Sequence, residues 1–255
     1  MYTAREIFKK LCEWSPLERE TTGDGLVFGD FDRRVRTVAV TVIASPDVIR
    51  KAAEMGADMI LTHEPTFHSA VAGEEDAITA QKRALCEETG IPIVRLHDYM
   101  HFTKIDKINL GVMSRISLDG DFDGQKTFTL KTPMTADALI DHVGKKLGLR
   151  HIRYIGKGDI TVNKLSLLFG AWGDARIYSE FLRPEIDIVL IGEGCEYNVC
   201  EYVRDAVELG VKKGLVILGH MGSEKAGMEY LADYINENLE AVNAIYIDSG
   251  EVYKN

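Results

Sequence analysis

Seven histidines are spread through this 255-residue chain: His63, His68, His97, His101, His142, His151 and His220. His63, His97 and His220 each directly follow a segment that reads as a buried strand, and ligands in open α/β sheets bind outside the carboxyl ends of the strands. His63-Glu64-Pro65 sets an imidazole beside a carboxylate, and the proline keeps the chain out of a helix there. His97 and His101 are four residues apart, as are His220 and Glu224. That spacing puts both side chains on one face of a helical turn. Imidazole plus carboxylate suits zinc, iron, manganese, nickel or cobalt, whereas a thiolate set would point elsewhere. Two such ions, about 3.5–4 Å apart and held by roughly five or more protein ligands, create a hydroxide near neutral pH and polarise the group it attacks. Glu64 and Glu224 are the natural carboxylates. A lone histidine is more often a satisfied side chain, and His-x-x-x-Glu recurs by chance. The signal is the coincidence of three clusters at strand ends.

The remaining histidines carry less. His68, His142 and His151 read as non-ligands, with His142 facing solvent on an amphipathic helix. Asp98 and Tyr99 are candidate proton relays. The four cysteines, Cys12, Cys86, Cys195 and Cys200, are scattered without a Cys-x-x-Cys pair, so they read as packing residues.

Alternating elements must position these clusters. Thr3-Ala4-Arg5-Glu6 reads as a capping box ahead of a helix with Ile7, Phe8, Leu11 and Trp14 on its apolar stripe. Gly23 to Gly29 reads as a glycine-rich bend. Residues 37–44 are β-branched and read as a buried strand. Ser45-Pro46 opens a helix that stops at Gly56, and Met59-Ile60-Leu61-Thr62 is the next strand. The same grammar predicts a helix over 77–88, a strand over 92–96, a helix capped by Asp106, a helix within 133–147 and strands over 165–169 and 186–191 with a helix between. It then predicts a helix over 197–209, a strand over 215–218, a helix over 224–239 and a closing strand over 244–248. The class is α/β, and Asp119-Gly120-Asp121 marks a lobe boundary.

Composition narrows the function further. Hydrophobic residues make up 45% and charged residues 27%, the balance of a globular chain rather than a disordered one. The formal charge of −10 argues against nucleic acid or an anionic membrane surface as partner. No apolar run approaches the roughly 20 residues of a membrane span. The N-terminus lacks a signal-peptide core, and the expected location is a reducing cytoplasm.

These residues together resemble the NIF-three-like dinuclear metal-centre hexameric proteins, the GTP cyclohydrolase I type 2 family. The likeness runs from about Thr3 to the C-terminus. It rests on Gly25-Leu26-Val27-Phe28-Gly29, Leu61-Thr62-His63-Glu64-Pro65, the His97–His101 interval, Ile191-Gly192-Glu193, and Gly219-His220 with Glu224. The resemblance implies two α/β lobes with mixed sheets flanked by helices, two divalent ions in the cleft between lobes, and a homo-hexamer. The first lobe would be 1–121 with 213–255, carrying most ligands, and the second 122–212. The implied ligands are His63, Glu64, His101, His220 and Glu224. His97 is placed outside the ligand set, orienting a ligand or substrate, and Glu193 is a further candidate catalytic residue facing the cleft.

Two positions depart from the family. His-His-Pro is usual where this chain has His63-Glu64-Pro65, and an aspartate is usual at the place of His101. One histidine becomes a carboxylate and one carboxylate a histidine, so three imidazoles and two carboxylates remain. A decayed site would not compensate in this way. The expected function is a metal-dependent hydrolase of the cyclohydrolase or phosphoester type acting on a small nucleotide or phosphoester. The alternative is a non-enzymatic metal-binding hexameric scaffold or a metal-delivery protein.

Overall fold

The computed structural model describes residues 1–17, 23–68 and 76–253. In chain order the elements begin with β1 (Tyr2–Thr3), α1 (Ala4–Trp14), β2 (Gly25–Phe28), β3 (Arg34–Val35), β4 (Thr37–Thr41), α2 (Pro46–Glu54), β5 (Met59–Thr62), α3 (Ala77–Thr89), β6 (Ile93–Arg95), α4 (Asp98–His101) and α5 (Lys107–Ile116). They continue with β7 (Gly120–Phe122), β8 (Thr127–Thr135), α6 (Ala136–Leu147), β9 (Arg153–Ile155), β10 (Thr161–Leu168), α7 (Asp174–Phe181) and β11 (Ile188–Ile191). A π-helical turn (Glu196–Cys200) leads into α8 (Glu201–Glu208), followed by β12 (Gly214–Ile217), α9 (His220–Asn238) and β13 (Asn243–Tyr246). The class is mixed α/β, as the alternation of elements predicts. Among the described residues no helix is long and apolar enough to cross a membrane.

The chain divides into two compact units, Met1–Lys107 with Gly227–Gly250, and Ile108–Ala226 with Glu251–Asn255. The boundary expected near residue 121 and the return near 213 sit elsewhere in this division, which changes at 107/108 and inside α9. Hydrogen bonds tie α5 to the second unit: Asn109 Nδ2 donates to the Gln125 carbonyl, and His142 Nε2 to the Ile116 carbonyl at 2.9 Å. His142 is thus partly buried and bonded, not simply solvent-facing.

The first unit is built on a sheet in the order β13-β4-β5-β6-β2. β13, β4, β5 and β6 are parallel, and β2 runs antiparallel to β6. Strands covered on both faces read as continuous apolar runs, and Met59–Thr62 is buried at every position. Ser45 Oγ accepts from the Val48 amide with Pro46 at the head of α2, so the predicted cap is present. The Thr3–Glu6 capping box of α1 is present as well. Val48, Ile49, Ala52, Ile60 and Ile93 close one core of this unit. The register pairs Thr62 with Arg95, so β5 and β6 end side by side. The residues after both strands therefore leave the sheet together.

The second unit has a sheet in the order β7-β8-β10-β11-β12-β9, parallel through β10, β11 and β12 and antiparallel elsewhere. The helix predicted within 133–147 is α6 (Ala136–Leu147). Thr135 caps α6, and Pro133 lies in β8. The register of β8 against β10 shifts between Val162 and Lys164, opposite this proline. A proline cannot donate to the ladder, so it belongs at such an irregularity. The predicted helix over 224–239 begins a turn earlier, at His220. Ile191 pairs with Ile217, so β11 and β12 also end side by side.

Candidate metal centre

In the first unit His63 follows β5 and His97 follows β6, and α4 returns His101 to the same place. Asp24, just before β2, holds this corner: its carboxylate accepts from the His97 amide at 2.9 Å and the Tyr99 amide at 3.0 Å. Arg95 Nε donates to the His63 carbonyl at 3.0 Å. Three imidazoles result in one cluster. Ring centroids are 4.6 Å apart for His63–His97, 5.0 Å for His63–His101 and 4.9 Å for His97–His101. One ligand atom from each lies within 4.8 Å of the others. His63 is wholly buried and His101 is 7% exposed.

The tautomers follow from their partners. His63 Nδ1 is 3.0 Å from the Leu96 carbonyl, which only accepts, so Nδ1 carries the proton. His101 Nδ1 donates to Asp106 Oδ2 at 2.9 Å, and His97 Nδ1 to Asp98 Oδ1 at 2.9 Å. A neutral imidazole with Nδ1–H presents a lone pair at Nε2. His63 Nε2 and His101 Nε2 nevertheless stand 3.1 Å apart. Two lone pairs at that distance repel unless a proton or a metal ion lies between them. Two nitrogens on one zinc-like ion, each about 2.0–2.1 Å from it, are separated by about 3.0–3.4 Å. The donor set fits a metal. Burial first, then the neighbouring His63 and His101 imidazoles, push His97 down to about 3, so it is a neutral ring at physiological pH. Glu64 Oε1 lies 3.8 Å from His97 Nε2, and Glu64 offers an oxygen within 4.8 Å of a His63 ring nitrogen.

Asp98 and Asp106 hold their imidazoles from behind, as carboxylates do for metal-ligating histidines. Sequence reading placed Asp98 as a relay and Asp106 as a helix cap. Asp106 does directly precede α5, but its carboxylate also turns back to His101. Asp106→Asn is expected to lower metal affinity about 10–100-fold, read by titration with zinc, while the fold is kept.

The second unit repeats the device. Glu193 follows β11 and His220 follows β12. Glu193 Oε1 is 2.6 Å from His220 Nδ1, and Glu224 Oε2 is 3.2 Å from His220 Nε2. His220 thus has a carboxylate at each ring nitrogen, Glu193 at Nδ1 and Glu224 at Nε2. Glu224 is 1% exposed. Glu193, a candidate catalytic residue from sequence, here orients His220. Ser223 adds a contact with no sequence signal: its Oγ accepts from the Gly170 amide at 3.0 Å and donates to the His220 carbonyl at 2.8 Å.

Gly170 has φ +77, and a Cβ there would collide with Glu224 Oε1. Gly170→Ala is therefore expected to displace Glu224 and to cost about 1–3 kcal/mol in backbone strain alone. Thermal unfolding with and without metal checks it: stability falls and the metal-induced gain shrinks. His68 and His151 have no place in these clusters. All four cysteines are free thiols.

Comparison with known proteins agrees with this fold. A "GTP cyclohydrolase 1 type 2 homolog" of Clostridium perfringens is 22% identical over 228 residues, covering 85% of this chain and 84% of its own. A protein of the same description from Campylobacter jejuni is 24% identical, covering 93% and 94%. The crystal structure of a Bacillus cereus protein related to NIF3 superposes with a TM-score of 0.80 at 17% identity, over 99% of both chains. The sequence profile of Duf34/NIF3 (NGG1p interacting factor 3) matches residues 2–251. With a match of that extent, the chain belongs to the Duf34/NIF3 family.

Proposed function

We propose that this protein binds divalent metal ions and uses them in hydrolysis of the cyclohydrolase or phosphoester type on a small nucleotide or phosphoester. The observation that carries the reading is the 3.1 Å approach of His63 Nε2 to His101 Nε2, both with Nδ1 committed to an acceptor. The names of the curated relatives supply the reaction class. The proposed ligands are His63, Glu64 and His101 in the first unit, and His220 and Glu224 in the second. Bound divalent ions acidify water and polarise the group under attack. The chain's own residues prepare for this. The Leu96 carbonyl, Asp106 and Glu193 are bonded to the Nδ1 atoms of His63, His101 and His220, which turns each Nε2 toward the cluster. Glu64 and Glu224 supply negative charge against the divalent ions. The homo-hexamer that the family resemblance implies belongs to the same proposal and is read by sedimentation. So does a cytoplasmic location, which the four free thiols support.

A second reading is a non-enzymatic metal scaffold or delivery protein. It is favoured by the exchanged residue types at Glu64 and His101 and by the deep burial of His63. Metal-loaded protein assayed against nucleotide and phosphoester panels separates the two. Hydrolysis that disappears with chelator, in His63→Ala and in His220→Ala supports the enzyme. Tight metal retention with no turnover on any divalent ion supports the scaffold.

A further inference from the structure

We infer that Cys195 and Cys200 are a redox-responsive modification site, two thiols at the start of α8 that a small disulfide such as glutathione disulfide oxidises to a reversible intramolecular bond. The site lies in the second unit, uses none of the proposed metal ligands and stands whether or not a metal binds.

The local backbone makes the pair. An α-helix turns once in about 3.6 residues, so side chains five apart point about 140° away from each other. The turn over Glu196–Cys200 is π-helical instead. Such turns close with bonds five residues apart, are rare, and gather at functional sites. One of these bonds joins the two cysteines themselves, with the Cys200 amide donating to the Cys195 carbonyl at 3.2 Å. Two residues tied in this way have Cα atoms on the order of 5–6 Å apart, inside the span of about 4.4–6.8 Å that a disulfide bridges. The side-chain directions agree. Cys200 belongs to the apolar cluster with Ile191, Val199 and Ile217, and Cys195 packs against that cluster. A Cβ added at Gly194, the neighbour of Cys195, would stand 3.6 Å from Cys200 Sγ. Burial pushes the Cys200 thiol up against the pull of Arg153, and negative charge at Glu196 and Cys195 adds to the rise. The two sulfurs are thus near enough to sense each other, and both are free thiols.

Cys195 is half-buried, whereas Cys200 is 7% exposed. Cys200 also lines an open cavity of about 260 Å³, together with Arg153 and Arg204. The more accessible Cys195 is the attacking thiol. Its thiolate attacks one sulfur of glutathione disulfide, that S–S bond breaks, a mixed disulfide forms and one glutathione thiolate leaves. Cys200 then gives up its proton, and its thiolate attacks the Cys195 sulfur. The Cys195–Cys200 bond forms and the second glutathione thiolate is expelled. The protein thiols lose two electrons, glutathione disulfide gains them, and the two protons end on the two glutathiones. In a reducing compartment such a bond is transient and redox-sensing rather than structural. Cys12 and Cys86, on α1 and α3 of the first unit, stand outside this turn and stay reduced.

The test treats folded, full-length protein with glutathione disulfide, blocks the remaining thiols with an alkylating agent, and maps the peptides by mass. The peptide carrying residues 195–200 is expected to be lighter by two hydrogens and unalkylated at both cysteines, with Cys12 and Cys86 alkylated. Dithiothreitol should return both thiols. In Cys200→Ser the reaction should stop at a persistent glutathione adduct on Cys195, and in Cys195→Ser neither bond nor adduct should form. Wild-type protein in which both thiols stay alkylatable overturns the proposal. So does a lasting glutathione adduct on wild-type Cys195, which would show that Cys200 does not reach it, or a bond from either cysteine to Cys12 or Cys86. The deciding measurement is made on the unaltered chain, so a variant that fails to fold does not affect it.

Discussion

In wild-type protein, zinc added at about 100 times its dissociation constant should raise stability by about 2.7 kcal/mol; in His101→Ala that gain should nearly vanish. The alanine removes one of the two Nε2 lone pairs that face each other at 3.1 Å. It also leaves Asp106 without the imidazole it orients. If the loss in affinity is about 100-fold, the same zinc concentration stabilises the variant by only about 0.4 kcal/mol. Apo stability should change much less, because removing one of two opposed acceptors relieves a repulsion. Differential scanning calorimetry with and without zinc reads both. A wild-type protein indifferent to zinc, or a variant that gains as much as wild type, contradicts the assignment. His101→Asp, which restores the family's usual residue, is a useful contrast. It would bring a second carboxylate toward Asp106, so here it is not expected to restore binding by itself.

Glu180→Ala is expected to be among the most damaging single changes outside the metal clusters, at about 2–3 kcal/mol for the lost charged hydrogen bonds. Glu180 is 2% exposed and belongs to a network of charges in the second unit. Its carboxylate accepts from Lys126 Nζ, from Arg183 Nη1 at 2.7 Å and from Ser166 Oγ at 3.0 Å. The alanine leaves Lys126, Arg176 and Arg183 without that counter-charge and a buried hydroxyl without that acceptor. For a domain of this size the cost is a fall in melting temperature on the order of 10 °C. The pH dependence follows from the direction of the shift. Burial pushes the Glu180 carboxyl up, but the bonds from Lys126, Arg183 and Ser166 outweigh it and hold it below the ordinary 4.5. A depressed carboxyl contributes stability that is full above its unfolded value and lost as pH falls through the folded one. The gap between wild type and Glu180→Gln should therefore be widest at neutral pH and close under acid. A gap that stays constant from neutral pH to about pH 3 would show that the charge is not what matters.

The parallel strands were legible because burial on both faces leaves short unbroken apolar runs. Met59–Thr62 ends at His63, and Ile93–Arg95 ends just before His97. The antiparallel edges were not. β2 is a half-buried strand whose glycines read as a bend, and β8 carries Pro133 in its ladder. In the site, histidines at strand ends could be found from order in the chain alone. The pairing of Asp106 with His101 and of Glu193 with His220 could not. Asp106 has a complete local explanation as a helix cap, and only the path from α4 to α5 brings it back to His101. Glu193 and His220 are 27 residues apart, and they meet because Ile191 pairs with Ile217. The same strand-end pairing, Thr62 with Arg95, joins His63 to His97. Two adjacent parallel strands ending level is thus one device used twice, and it required knowing which strands are neighbours.

The central claim is that opposed acceptor nitrogens in the first unit are there to hold a divalent ion. Elemental analysis of full-length protein purified without chelator, beside His63→Ala prepared in the same way, tests it most directly. A first-row transition metal is expected on the wild-type chain at about one equivalent or more, with a marked loss in the variant. Wild-type protein that emerges metal-free and takes up neither zinc nor cobalt on dialysis would contradict it. A proton would then be what separates His63 Nε2 from His101 Nε2.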